Sequence, residues 1–247
     1  MPVTESSSSY AAIRRESRSR ERFGQVLGDY YATLISPCCT RFFLRRGVIP
    51  NTVTLGMIVS GVLGAVLFAT PLLAAKIAGA ALIHLWFILD CSDGEVARLT
   101  GIFSPFGTEL DQMAHAICHP LFNLCFAYSL IALHQYNSGL ILTLSVISIS
   151  AEMLLRHLID LSGAYLRTPM GRARPEKARS LFRIVAGRVL GIFYVYPNFA
   201  LLFPVLYLVD RFAGTSLAWA YFMAQTVLSA LEASRLAYRW TRILYQT

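Results

Sequence analysis

Charge is scarce in this 247-residue chain: 15% of its residues are charged, against about a quarter in an ordinary soluble domain. That shortage excludes a typical soluble globular protein. Zinc-ligand spacing is missing as well. The five cysteines, Cys38, Cys39, Cys91, Cys118 and Cys125, form no CxxC pair and have no histidine at zinc spacing, so no structural zinc site is expected. Cys118 and Cys125, seven apart, read as core residues, and the adjacent Cys38 and Cys39 as small packing residues. No internal repeat is visible, which counts against a transporter built from inverted halves. A signal peptide is not expected either, because Gly24, Gly28 and Asp29 follow the basic residues where an apolar core would have to begin.

What is abundant is apolar sequence. Hydrophobic residues make up 55% of the chain and gather into uncharged runs: Leu55 to Leu67, Ile77 to Leu89, Pro120 to Leu133, Gly139 to Ala151 and Val189 to Val209. Several approach the roughly 20 residues that cross a bilayer. The fold expected is all-α, a polytopic membrane protein with six transmembrane helices over about 51–70, 73–98, 106–133, 138–161, 183–210 and 215–242. Pro197 and Pro204 are expected to kink the fifth. Residues 48–247 then form the membrane domain. Residues 1–22, rich in Ser and Arg, read as a disordered basic arm. Residues 23–47 mix Leu34, Ile35, Phe42 and Phe43 with Arg41, Arg45 and Arg46, the composition of an interfacial amphipathic helix. Pro37 is expected to interrupt it. Gly56, Ser60 and Gly64 form a small-residue stripe that allows close helix approach.

The basic excess of +8 does not point to nucleic acid. Of the 22 Lys and Arg, eight fall in residues 1–50, eight in 156–188, and three are Arg235, Arg239 and Arg242. Cations confined to alternate loops follow the positive-inside rule. This places both termini and the basic loops in the cytoplasm, with the turns carrying Lys76 and Arg211 outside. Membrane lipids, not nucleic acid, are the expected partner.

Against this background the acidic residues stand out. Five of the 14 Asp and Glu lie within residues 90–111. Acidic groups in membrane helices are functional candidates by default. Asp90 and Asp93 share a face of helix two, as Asp111 and His115 do on helix three. Gly101, Pro105 and Gly107 let the two helices turn back on each other. Three carboxylates and an imidazole would then meet at one depth near the cytoplasmic surface, an arrangement that calls for bound cations; oxygen-rich ligation suits magnesium or manganese. Glu95 and Glu109 read instead as headgroup-level residues.

The run Asp90-x2-Asp93-Gly94-x2-Ala97-Arg98-x8-Gly107-x3-Asp111-x3-His115 resembles the signature of the CDP-alcohol phosphotransferases, D-x2-D-G-x2-A-R-x8-G-x3-D-x3-D, at seven of eight fixed positions with every gap kept. Pro50-Asn51, with Thr54, is similar to the family's sequence at the start of the first helix. The resemblance implies a six-helix membrane enzyme, a homodimer, with its site toward the cytoplasm. In that family an alcohol attacks a CDP-linked donor and CMP departs, with two divalent ions on the diphosphate. It further implies that Asp90, Asp93, Asp111 and His115 are metal ligands, that Arg98 pairs with the diphosphate, and that Gly94 and Ala97 are small to admit the nucleotide. Ser104 and Gly107 border the donor, and Pro50 and Asn51 line the cytidine pocket.

His115 departs from the pattern, which has aspartate there as ligand and as catalytic base. Neutral imidazole can ligate a metal or accept a proton, though not with the same nitrogen, so His115 is expected to be the catalytic residue as well as a metal ligand. His119, one turn on, reads as a packed or capping histidine. Most cations of the 156–188 region obey the charge rule, leaving Arg183 and Arg188 as acceptor-binding candidates. Glu152, Arg156 and Asp160 at four-residue spacing read as a salt-bridge ladder. A synthase that uses a phosphorylated polyol is the alternative within this class. A catalytically degenerate membrane scaffold is the alternative outside it.

Overall fold

A computed structural model describes residues 9–18, 27, 31–134, 137–165, 189–193 and 195–245. Its helices are α1 (Tyr10–Arg18), α2 (Thr33–Arg46), α3 (Pro50–Ala69), α4 (Leu73–Thr100), α5 (Gly107–His134), α6 (Ser138–Tyr165), α7 (Tyr196–Ala213) and α8 (Leu217–Leu244). Among the described residues, α3 to α6 are long and apolar enough to cross a membrane. They carry the long uncharged runs that stop at turns. Gly47 ends α2 in the left-handed conformation, Pro50 opens α3, and Gly101 ends α4 with φ near 70°. Glycine meets that conformation at no steric cost.

The small-residue stripe does bring helices together, and its tightest point is on the partner helix. A Cβ built on Gly79 would lie 2.5 Å from the Phe68 backbone nitrogen and 2.7 Å from the Gly64 carbonyl oxygen. Ser60 ties the same pair of helices by donating to the Leu82 carbonyl at 2.7 Å. With α3 and α4 locked, α3 also packs on α5, α7 lies against α4 and α5, and α6 pairs with α8. Phe122, Phe126, Phe199 and Phe203 pack through the centre, and Cys118 and Cys125 are buried in the same core as expected.

Four expectations change. Residues 10–18, inside the stretch read as a disordered basic arm, form a helix because Ile13 finds a buried seat and the Tyr10 hydroxyl donates to the Leu34 carbonyl at 3.0 Å. Pro37 does not interrupt α2: it lies inside the helix, which continues through it to Arg46. Pro197 does not kink the fifth helix: Val195 is extended, and Pro197 sits in the first turn that restarts it as α7. Lys76 is not a turn residue facing water. It is 5% exposed, and its ammonium donates to the Phe68 carbonyl at 2.7 Å and to Ser129 Oγ at 2.8 Å.

Glu95 also differs from its headgroup-level reading. It is 1% exposed and accepts hydrogen bonds from Ser36 Oγ at 2.7 Å and Thr40 Oγ1 at 2.6 Å. This clamps the polar side of α2 to α4, while Leu34, Ile35 and Phe42 point outward. Burial, Cys38 and Glu95 all raise the pKa of the nearby Cys39 thiol, so it stays neutral and serves packing. Glu109 is exposed, as expected.

Candidate active site

The C-terminal turns of α4 and the N-terminal turns of α5 deliver the motif to one place. A cavity of about 910 Å³ opens there, and Asp90, Asp93, Gly94, Ala97 and Arg98 of α4 line it. Ser104, Gly107, Asp111 and His115 line it from the turn and α5, and Pro50 and Asn51 close the side formed by α3. Arg183 and Arg188 lie outside the described residues.

At the centre, His115 Nε2 is 3.0 Å from Asp90 Oδ1 and 3.3 Å from Asp111 Oδ1. Ligand atoms of these three residues all fall within 4.8 Å of one another. Two carboxylate oxygens and one imidazole nitrogen at that spacing fit a divalent cation. Asp93 lies outside this trio, one turn along α4, and Thr54 Oγ1 donates to its Oδ2 at 2.8 Å. Thr54 therefore positions Asp93 from α3, which explains a threonine one turn after Pro50.

The remaining motif residues have local causes. A Cβ on Gly94 would meet Arg98 Nη1 at 2.8 Å. Glycine at 94 thus makes room for the Arg98 side chain itself, and not only for a ligand. Ser104 shapes the turn: its Oγ accepts from the Phe106 N–H at 3.2 Å and its carbonyl from the Gly107 N–H at 3.1 Å. Gly107 faces Asn51 and Ser104 with no side chain between them.

The second half of the cavity comes from α6, α7 and α8 and includes His119, Glu152, Arg156, Asp160, Tyr196 and Glu232. His119 is packed, as expected, and its Nε2 also lies 2.9 Å from His115 Nδ1. One reading changes here. The Glu152–Arg156–Asp160 ladder does not form. Glu152 Oε1 faces His119 Nδ1 at 3.5 Å, and Arg156 acts on Glu152 through its charge without a direct ion pair. A four-residue spacing shows that side chains share a helix face; it cannot show that another helix offers Glu152 a nearer partner.

The two nitrogens of His115 also divide their work. Nε2 faces the carboxylates and Nδ1 is turned back to His119, so the ring offers the cavity a single nitrogen.

Residues 47–226 match the sequence profile of the CDP-alcohol phosphatidyltransferases. The chain is also similar to an archaetidylinositol phosphate synthase of Aeropyrum pernix, 32% identical over 119 residues. That match covers 47% of this chain and 60% of the relative. Residues 47–226 contain α3 to α7, the whole acidic motif and most of the cavity wall, so the chain is an integral membrane protein that belongs to the CDP-alcohol phosphatidyltransferase family.

Proposed function

We propose that this protein is a membrane transferase of phospholipid biosynthesis, moving a substituted phosphate from a CDP-linked donor such as CDP-diacylglycerol to the hydroxyl of an alcohol acceptor and releasing CMP. The observation that carries this reading is the single cavity in which every described motif residue takes part. Asp90, Asp111 and His115 would hold one magnesium or manganese ion, and Asp93 would help hold a second. Such ions, when bound, neutralise the diphosphate and the departing oxygen.

The chain's own groups do the rest. Arg98 grips the diphosphate through its planar fork. Pro50, Asn51, Ser104 and Gly107 wall the cytidine end, with Gly94 and Ala97 beneath it. His115 presents one nitrogen to the carboxylates and serves as a ligand. The acceptor hydroxyl then gives its proton to Asp111, the most exposed of the three, as its oxygen attacks the β-phosphorus and the bond to CMP breaks.

A phosphorylated polyol is favoured as acceptor by Arg156, whose positive charge lines the far side of the cavity. The Aeropyrum relative, named for an inositol phosphate lipid, points the same way. Arg183 and Arg188 would add to this anion site. Six spans, with the cavity and both termini cytoplasmic, and α2 in the membrane plane, agree with the basic loops and with the outward apolar residues of α2. A homodimer is proposed on the family resemblance.

The test is CMP release from CDP-linked donors, with free inositol and inositol phosphate compared as acceptors. CMP release that needs an acceptor and stops with chelator supports a transferase. No release with any donor leaves the scaffold reading. Preference for free inositol would remove Arg156 from the acceptor site.

A further inference from the structure

His119 plays no part in the chemistry above, yet it is 2% exposed and touches the cluster. Its ring is held on both sides. Tyr196 stacks on it with centroids 3.9 Å apart and 20° between planes, and Trp86 meets both imidazoles edge-on, at 5.3 Å from His115 and 5.6 Å from His119. The Tyr196 hydroxyl donates to the backbone carbonyl of His119. One ring nitrogen points at His115 Nδ1. The other, Nδ1, is buried without a hydrogen-bond partner among the described residues and faces Glu152 Oε1 at 3.5 Å. A buried polar nitrogen aimed at a carboxylate from a different helix calls for a reason.

We propose that His119 and Glu152 are positioning residues that fix the tautomer of His115, so that His115 Nε2 offers a lone pair to a divalent ion shared with Asp90 and Asp111. The inference rests on the divalent-ion reading of that trio. Its direction follows from what each group can donate. In its ionised form Glu152 only accepts and takes the N–H of His119 Nδ1. Closing that contact from 3.5 Å to the roughly 2.7–3.2 Å of a formed bond is a side-chain adjustment. His119 Nε2 is then bare and accepts the N–H of His115 Nδ1. A neutral imidazole carries one N–H, which leaves His115 Nε2 unprotonated toward Asp90 and Asp111. The reverse tautomer would aim an N–H at Asp90 and close the nitrogen to a cation.

An aspartate at 115 would need no such chain, because a carboxylate has no tautomer to set. The departure at 115 and the buried His119–Glu152 pair are therefore one adaptation. Partners of this kind are worth about 10–100-fold in metal affinity.

The test is direct Mn2+ binding to the purified protein, read by the loss of the free-ion electron paramagnetic resonance signal. His119→Phe, which keeps an aromatic ring against Tyr196, and Glu152→Gln are each made in wild type and in His115→Asp. In wild type each should weaken Mn2+ binding about 10–100-fold. In His115→Asp each should change it by about twofold or less, the scatter of uncoupled sites. His119→Gln replaces His119→Phe if the latter elutes as aggregate. Equal losses in both backgrounds would assign the pair a packing role and overturn the inference. Unchanged affinity in wild-type background would overturn it alone, leaving the metal site intact. Absence of saturable Mn2+ binding in wild type would remove the metal reading and this inference together.

Discussion

At the scale of single residues, the chemistry depends on which atom faces the cavity. His115 turns Nε2 to Asp90 and Asp111 and Nδ1 to His119. As a ligand it should be replaceable by aspartate and not by alanine. His115→Ala should cost more than the roughly 100-fold typical of a lost outer partner. His115→Asp should keep turnover and move the metal preference from manganese toward magnesium, since carboxylate is the harder ligand. CMP release with each metal checks both, and an alanine variant as active as wild type would remove His115 from the site. Arg98 is tested through its geometry. Lysine keeps the charge and loses the fork, so Arg98→Lys should raise the KM for the CDP-linked donor about tenfold, the loss of one charge-assisted hydrogen bond. The acceptor KM should not move. An effect confined to the acceptor would place the diphosphate elsewhere.

At the scale of helices, two close approaches hold the motif in register. Gly79 touches the α3 backbone, and Glu95 fastens α2 to α4 one residue beyond Gly94. The glycines are not equivalent, although the sequence presents them alike. A Cβ on Gly56 would meet only Leu89 Cδ1, at 3.8 Å, an ordinary contact. Gly79→Ala should therefore destabilise the protein by about 1–3 kcal/mol as an overpacked contact, while Gly56→Ala should be nearly neutral. Thermal unfolding in detergent separates them, and equal melting temperatures would contradict the α3–α4 packing. The caps are more local. Asp210 ends the α7 charge pattern by accepting from the Leu217 and Ala218 N–H groups, each at 2.8 Å, at the start of α8.

At the scale of the molecule, burial of Lys76 sharpens the charge asymmetry, because it leaves only Arg211 near the turns expected outside. Six spans can be tested by labelling single cysteines in a cysteine-free background. Leu72→Cys, Ser138→Cys and Phe212→Cys should react with a membrane-impermeant maleimide in intact cells. Ile102→Cys, at the cavity mouth, should react only after permeabilisation. Phe212→Cys protected until permeabilisation would reject α7 as a span and leave four.

The sequence by itself determined that this is a helical membrane protein and where its acidic motif lies. Hydrophobic runs and fixed motif gaps are local properties, set by helix rise and by spacing along a single helix. It also determined that Asp90, Asp93, Asp111 and His115 would approach one another, since a short turn joins the helices that carry them. Only the tertiary structure decided what comes from elsewhere in the chain: Thr54 on Asp93, Ser36 and Thr40 on Glu95, and Glu152 facing His119. Those partners lie tens of residues away on helices whose rotation about their own axes is set by packing. Periodicity names the face a residue belongs to; the neighbours opposite that face exist only once the bundle has closed.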